Sequence, residues 1–455
     1  MRKSFLCLIL VLAAASAVSA QDFKTGYFLD NFTYGYRVNP GASIEGKPYT
    51  FIGLGIGNVS AELHSNLSAA AFLNKAMDQF IIDDEVSIDE ALSGFSDKNS
   101  ILMNANVNLL TFGRQTEYNR FSIEFNLRSD SYFNMPFGFI SSTKRALHGL
   151  ATDDWDDSYN FAGLQVSTNA YTEIAFGYSQ KIGDHFTVGG RLKGLVGFAT
   201  AGADLSADVF IKNQDTEIES IQGKLDGKVA ISAPMDLAFN TMQSGGKTYY
   251  DLYGTDYEQL FHNAIGNPSK HVAGWGAAVD LGATYEPIDG LYISASLLDL
   301  GFISWKNTIY GKFSFSEELH TGSPDNENLG DDIFALEKIA GARFSTPLNY
   351  TVHLGAKYRM PFYDALTVGL ITTFQPHYRD FRLGVDVTPL KFLSFAGSAA
   401  ITNYGANLGL ALNIKFPIIN FFIGSDTMVA PSGATQALLG TKLNTMVTTG
   451  LVLAI

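Results

Sequence analysis

His64, Ser65 and Asn66 stand side by side, and a histidine that takes the proton of a serine hydroxyl makes a nucleophile. Beside a bilayer that chemistry would be lipid hydrolysis. Neighbours along a strand point to opposite faces, however, so on a strand His64 and Ser65 cannot pair, and a motif without its structural context carries little. Asp153, Asp154, Asp156 and Asp157 around Trp155 offer oxygen ligands of the kind Ca²⁺ takes. They lack the glycine and the spacing of a calcium loop, so a solvated acidic loop is the plainer reading. Eight histidines, among them His148, His185, His262, His271, His353 and His377, show no metal-ligand spacing. The glycines fall within strands and turns and form no phosphate-cradling loop. Neither catalysis nor a cofactor is expected.

A second set of charges lies on strands. His353, Lys357, Arg359, Arg379 and Arg382 are expected to put positive charge in the lumen of an alternating pattern, with Asp386 or Asp364 as partners. That pattern organises Tyr350 to Asp426. Tyr350, Val352, Leu354, Ala356 and Tyr358 alternate with Thr351, His353, Gly355, Lys357 and Arg359, and comparable runs follow at 365–374, 381–388 and 407–416. Successive strand side chains point to opposite faces, so each run has one apolar face and one small or polar face. The runs reach about ten residues, as a tilted crossing of a bilayer requires, where soluble strands average about five or six. Tight turns at Met360–Asp364, Thr388–Lys391 and Phe416–Ile418 join them. The expected fold is all-β, a transmembrane antiparallel β-barrel of about 14 strands with short helical insertions in plug or loops.

The N-terminus reads as an export leader over residues 1–20. Arg2 and Lys3 form the basic region, Phe5 to Ala15 the apolar region, and Val18-Ser19-Ala20 the cleavage site. The only cysteine, Cys7, falls inside it. A formal net charge of −14 argues against a nucleic-acid partner and against a basic membrane-docking surface. No segment after the leader offers about 18 consecutive apolar residues, which excludes a helical membrane protein.

Residues 21–46 carry Tyr27, Phe28, Phe32, Tyr34 and Tyr36 before Asn39-Pro40-Gly41. Such a segment either packs in the periplasmic mouth of the barrel or forms a lumen plug or gate, with Phe28, Phe32, Tyr34, Tyr36, Asn39 and Pro40 as its candidate residues. The barrel takes residues 47–455. Tyr49–Leu63 reads as an early strand and 65–95 as a helical insertion, either plug or external cap. Ile101–Phe112 pairs with Tyr118–Arg128, and Tyr171–Lys181 with Phe186–Ala199. Val229–Phe239 is a weaker strand because of Pro234. Residues 275–300 form a hairpin about Asp289-Gly290, and Lys442–Ile455 closes the chain. Residues 130–160, 240–270 and 316–349 read as long outer loops, with helices expected within 136–150 and 332–340.

Several phrases together resemble a known family. They are Tyr27-Phe28-Leu29-Asp30 with Asn39-Pro40, Asn108-Leu109-Leu110-Thr111-Phe112-Gly113, and Ala170-Tyr171-Thr172-Glu173-Ile174-Ala175-Phe176-Gly177-Tyr178-Ser179. The others are Phe186-Thr187-Val188-Gly189-Gly190-Arg191-Leu192-Lys193, Ala278-Val279-Asp280-Leu281-Gly282-Ala283, and Leu297-Leu298-Asp299-Leu300-Gly301-Phe302-Ile303. In order along nearly the whole chain, they resemble a Bacteroidetes outer-membrane family classed as a domain of unknown function. The resemblance implies a barrel in the outer membrane of a Gram-negative bacterium, distantly similar to the long-chain fatty-acid transporter superfamily, and brings no catalytic or binding residues with it. The functional expectation is a barrel in outer-membrane lipid that binds or passes a small hydrophobic ligand. The alternative is a structural or docking barrel for surface or secretion proteins.

Overall fold

A computed structural model describes residues 23–30, 32–54, 58–68, 92–141, 157–214, 217–233, 240–244, 246–250, 272–306, 308–320, 336–339, 344–427 and 442–454. The leader, most of the 65–95 insertion, Pro234, the 153–156 carboxylates and most of the 240–270 and 316–349 stretches lie outside them. Within the described residues no helix is long and apolar enough to cross a membrane.

The N-terminal segment holds a single 3-10 turn at Thr25–Tyr27 and one helical turn, α1 (Gly35–Val38). Strands follow. The first are β1 (Tyr49–Leu54), β2 (Val59–Ser68), β3 (Lys98–Gln115), β4 (Asn119–Pro136), β5 (Asp157–Ile182), β6 (Phe186–Gln214) and β7 (Glu217–Ser232). Next come β8 (Thr241–Ser244), β9 (Lys247–Tyr250), β10 (Gly274–Ile288), β11 (Leu291–Trp305), β12 (Thr308–His320), β13 (Leu336–Lys338) and β14 (Phe344–Pro347). The last are β15 (Thr351–Arg359), β16 (Leu366–Phe374), β17 (Arg379–Leu390), β18 (Leu393–Thr402), β19 (Gly405–Lys415), β20 (Ile419–Ser425) and β21 (Lys442–Ala454).

Fourteen antiparallel positions close into a barrel. β1 and β2 share one position, each lying between β3 and β21. β14 and β15 share another, both against β11. The remaining twelve are β3, β4, β5, β6, β10, β11 and the run β16 to β21, and the expected strand number therefore holds. Outward positions on each strand carry large apolar side chains, such as Leu192 at 68% exposure and Ile401 at 72%, which form the lipid-facing band. Inward positions are Gly, Ala, Ser, Thr, Asn and charged residues, most of them buried.

β6 has two partners along one edge. Phe186 to Gly197 pairs with β10, and Thr200 to Gln214 pairs with β7. From β7 the pairing continues through β12, β13 and β9 to β8, a side sheet that is not part of the closed ring. Tyr171, Leu195, Ala273, Ile303 and Trp305 pack where the two partners diverge, with the Trp305 ring lying over Gly197. This corrects three expectations. Val229 to Ser232 belongs to the side sheet and not to the ring. Residues 241–250 form the β8–β9 hairpin inside what reads as a loop. The expected helix at 332–340 contains β13, because Leu336 buries beside Ile309 and Tyr250 as a strand residue. Residues 137–141 are helical, but 130–136 and 157–160 extend β4 and β5.

Candidate functional site

The barrel's interior is occupied by its own N-terminal segment. Phe23, Phe28, Leu29, Tyr34, Tyr36 and Val38 are buried in one cluster with Phe51, Ile371, Ala396, Ala411, Phe422, Met446 and Val452 of the wall. Phe32 packs against it half-buried, its ring edge-on to Phe422 with centroids 4.8 Å apart. Inward glycines provide the seats. A β-carbon at Gly384 would overlap the Phe28 ring, one at Gly424 the Phe23 ring, and one at Gly355 the Tyr27 ring. Asn39-Pro40-Gly41 touches the opposite wall in the same way, over Gly189 and Gly282. Glycine at these positions therefore serves close packing against the segment.

Hydrogen bonds fix the segment around the full circumference. The backbone N–H groups of Lys24 and Thr25 donate to the Asp426 carboxylate at 2.8 and 2.7 Å. Tyr27 exchanges a hydroxyl bond with Ser294 at 2.9 Å, and burial pushes its phenol up to about 12. Tyr34 donates to Asn58 at 3.0 Å and Tyr36 to Glu124 at 2.9 Å. Ser296 donates to the Val38 carbonyl at 2.7 Å, Ser179 to the Pro40 carbonyl at 2.6 Å, and Asn39 to Thr284 at 3.0 Å.

The wall formed by β4, β5, β6, β10 and β11 carries a buried charge network that the sequence reading did not single out. Arg191 pairs with Glu124, and with Asp280 at 3.2 Å. Lys193 pairs with Asp280 at 2.8 Å and with Asp299. Arg128 bridges Glu173 and Asp299, both at 2.9 Å, and Tyr171 donates to Asp130 at 2.7 Å. From the N-terminal segment Arg37 joins through Glu124 at 2.6 Å. A register shift between Val279 and Leu281 makes room for Asp299, which has a left-handed φ of 58° and donates its backbone N–H to Asp280 at 2.7 Å. A non-glycine residue in that region is strained and persists only where its surroundings hold it.

The residues expected in the lumen separate into two groups. His353 and Arg382 are buried, but Arg382 pairs with Asp380 at 2.8 Å and Asp426 at 3.7 Å and not with Asp386. Asp386 accepts from Thr388 at 3.0 Å and from the Asp30 backbone at 3.4 Å. Arg359 holds Asp30 at 2.8 Å and Glu45 at 2.9 Å, and so ties the N-terminal segment to the mouth at the short-turn end. Burial alone would raise the Glu45 carboxyl, yet Arg359 beside it holds it below the usual range. Lys357 donates to the Tyr27 carbonyl at 3.4 Å, and Arg379 is exposed. His64 bonds to Glu62 and Asn444 and stacks on Tyr378, while Ser65 donates to the Ser100 carbonyl. His64 and Ser65 do not meet. Among the described residues no three His, Cys, Asp or Glu side chains are placed to hold a metal.

Cavities flank the N-terminal segment among the described residues. One, at the short-turn mouth, opens partly to solvent, with Tyr27, Tyr49, Tyr292, Arg120, Lys357 and Lys415 in its lining. Another, smaller, lies between Phe23, Phe32, Tyr34 and Val38 on the segment and Asn58, Ser60, Asn106, Phe422 and Thr448 on the wall.

Among solved structures the chain is similar to the Ralstonia pickettii toluene transporter TbuX, at 9% identity and a TM-score of 0.40 over 92% of each chain. It is also similar to the Pseudomonas putida toluene transporter TodX, at 8% identity and a TM-score of 0.39, over 97% of this chain and 95% of that one. A Pseudomonas aeruginosa FadL homologue aligns at 11% identity and a TM-score of 0.27 over 94% of each. No curated protein matches. The phrases that carry Glu173, Arg191, Lys193, Asp280 and Asp299 fall within a family match spanning residues 18–426, and the chain belongs to the Family of unknown function (DUF5723).

Proposed function

We propose that this protein is an outer-membrane channel for a small hydrophobic solute, exported behind a leader of residues 1–20, with residues 21–46 as its plug. The observation that carries the reading is the filling of the lumen. The wall presents glycines where the segment's aromatic rings sit, so on that side the barrel is shaped to be filled by the segment and not by its own strand side chains. A barrel serving only as a scaffold could fill its interior from its own strands. The seats are aromatic and glycine-floored, which suits an apolar solute that takes the place of those rings. The chain binds and conducts in this reading, and carries out no reaction.

Single-channel conductance of the leader-free protein in a planar bilayer, with and without residues 21–46, tests this. The full chain is expected to be closed and the deletion to conduct. A silent deletion variant that still runs as a folded barrel overturns it. One feature favours a second reading, a docking barrel for surface or secretion proteins: the side sheet of β7, β8, β9, β12 and β13 is additional to the ring and contributes nothing to its closure.

A further inference from the structure

We infer that the cavity at the short-turn mouth is a binding site for a small organic anion, one carboxylate on a flat, ring-sized apolar body. In a chain of net charge −14, this cavity gathers cations. Arg120, Lys357 and Lys415 line it, and among the described residues none of the three has a carboxylate in ion-pair contact. Arg120 donates only to neutral acceptors, Gln115 at 2.7 Å and the Ala42 and Ser43 carbonyls at 3.4 and 3.1 Å. Lys357 has the Tyr27 carbonyl and the Tyr27 and Tyr292 rings, at 5.6 and 5.7 Å to their centroids. Lys415 lies 5.1 Å from the centroid of Tyr49. The two carboxylates in the lining, Asp30 and Glu45, are in ion-pair contact with Arg359, and the Asp30 backbone N–H donates to Asp386 behind them.

Asp30 and Glu45 act on Lys357, and Asp30 on Lys415, from beyond contact distance, so the cations keep unused donor capacity, and an anion supplies what neutral carbonyls cannot. The tyrosine rings flank the same space and offer stacking surface to the ligand's body. The inference narrows the proposed channel's small hydrophobic solute to one that carries a single carboxylate on its apolar body. It depends on that reading for passage but not for binding.

Calorimetry of the leader-free, full-length protein in detergent tests it, with benzoate, benzyl alcohol and inorganic phosphate as probes. Benzoate is expected to bind saturably below about 1 mM, and benzyl alcohol and phosphate much more weakly. Lys415→Gln and Lys357→Gln should each weaken benzoate about tenfold or more, as loss of a charge-assisted bond implies, while Lys415→Arg retains it. Undetectable benzoate binding, equal binding of phosphate, or folded Lys→Gln variants that bind as tightly as the parent would each overturn the site. The plug-deletion conductance is read separately: binding without conductance overturns transport alone, and conductance without binding overturns this site alone.

Discussion

The two halves of the lumen wall solve the same problem by different chemistry. Around β16, β18, β19, β20 and β21, the wall meets the N-terminal segment with glycine, alanine and aromatic surface. Around β4, β5, β6, β10 and β11, it meets mainly itself, through Arg128, Arg191 and Lys193 set among Glu124, Asp130, Glu173, Asp280 and Asp299. Apolar contact is non-directional and tolerates removal of one partner as a unit. A buried charge does not, because each ion loses hydration that only its neighbours replace. The difference separates two kinds of hold. The charged half ties β4, β5, β6, β10 and β11 to one another through buried ion pairs while anchoring the segment by hydrogen bonds and Arg37, and the apolar half seats the segment's rings.

The largest effect should come from breaking the charged half. Arg191→Met leaves Glu124 and Asp280 each short of a cation in a site that water does not reach. It should destabilise the barrel by about 3–5 kcal/mol, read as a shift in the denaturant midpoint of the strand signal. An unchanged midpoint would mean that the remaining cations Arg37, Arg128 and Lys193 suffice, and the division of labour would fall.

The apolar half should respond in a different observable. Phe28→Ala empties the seat over Gly384, and Gly384→Leu blocks it. Either should leave the barrel midpoint within about 1 kcal/mol while loosening the segment by about 3 kcal/mol, as loss of a buried aromatic ring implies. The sole cysteine of the sequence lies in the expected leader, so Leu29→Cys supplies a single reporter. Its reaction with a pyridyl disulfide should accelerate strongly in both variants. If the barrel midpoint falls in step with labelling, segment and wall are one cooperative unit.

The barrel was legible because its signal is long and repeated. Alternation over 350–416 and turns such as Pro287–Gly290 mark strands regardless of what fills the lumen. The charge network was present in the same alternation, since Glu124 lies between Ile123 and Phe125 and Asp280 between Val279 and Leu281. A charge flanked by lipid-facing residues must point inward, so the signal for burial existed. Its pairing did not, because Arg128 and Asp299 are 171 positions apart and meet only once the ring closes. The Arg382–Asp380 pair was misread for a local reason. Asp380 and Arg382 are two apart on one strand and share its inner face, as Asp386 also does, and strand period alone cannot rank neighbours on that face. The side sheet was missed because β7 alternates like a ring strand, β8 and β9 lie in an expected loop, β12 runs into another and the three-residue β13 lies inside an expected helix; only the second partner of β6 separates β7 from the ring.

A smaller and more selective effect follows from Arg359, which holds Asp30 and Glu45 where the segment leaves the mouth. Because the Glu45 carboxyl is depressed in the folded protein, it binds fewer protons there than in the released segment. Its contribution is therefore present above the ordinary glutamate range of about 4.3 and is lost as pH falls through the depressed value. Acidification should raise Leu29→Cys labelling a few-fold, and Glu45→Gln should be looser at neutral pH while responding less to acid. The pair is partly exposed, so salt should imitate part of the acid effect. The Arg191 network is buried, and its contribution to the barrel midpoint should not move with the same salt. Equal salt sensitivity of labelling and midpoint would show that the mouth and the wall share one electrostatic environment, against the separation drawn between them.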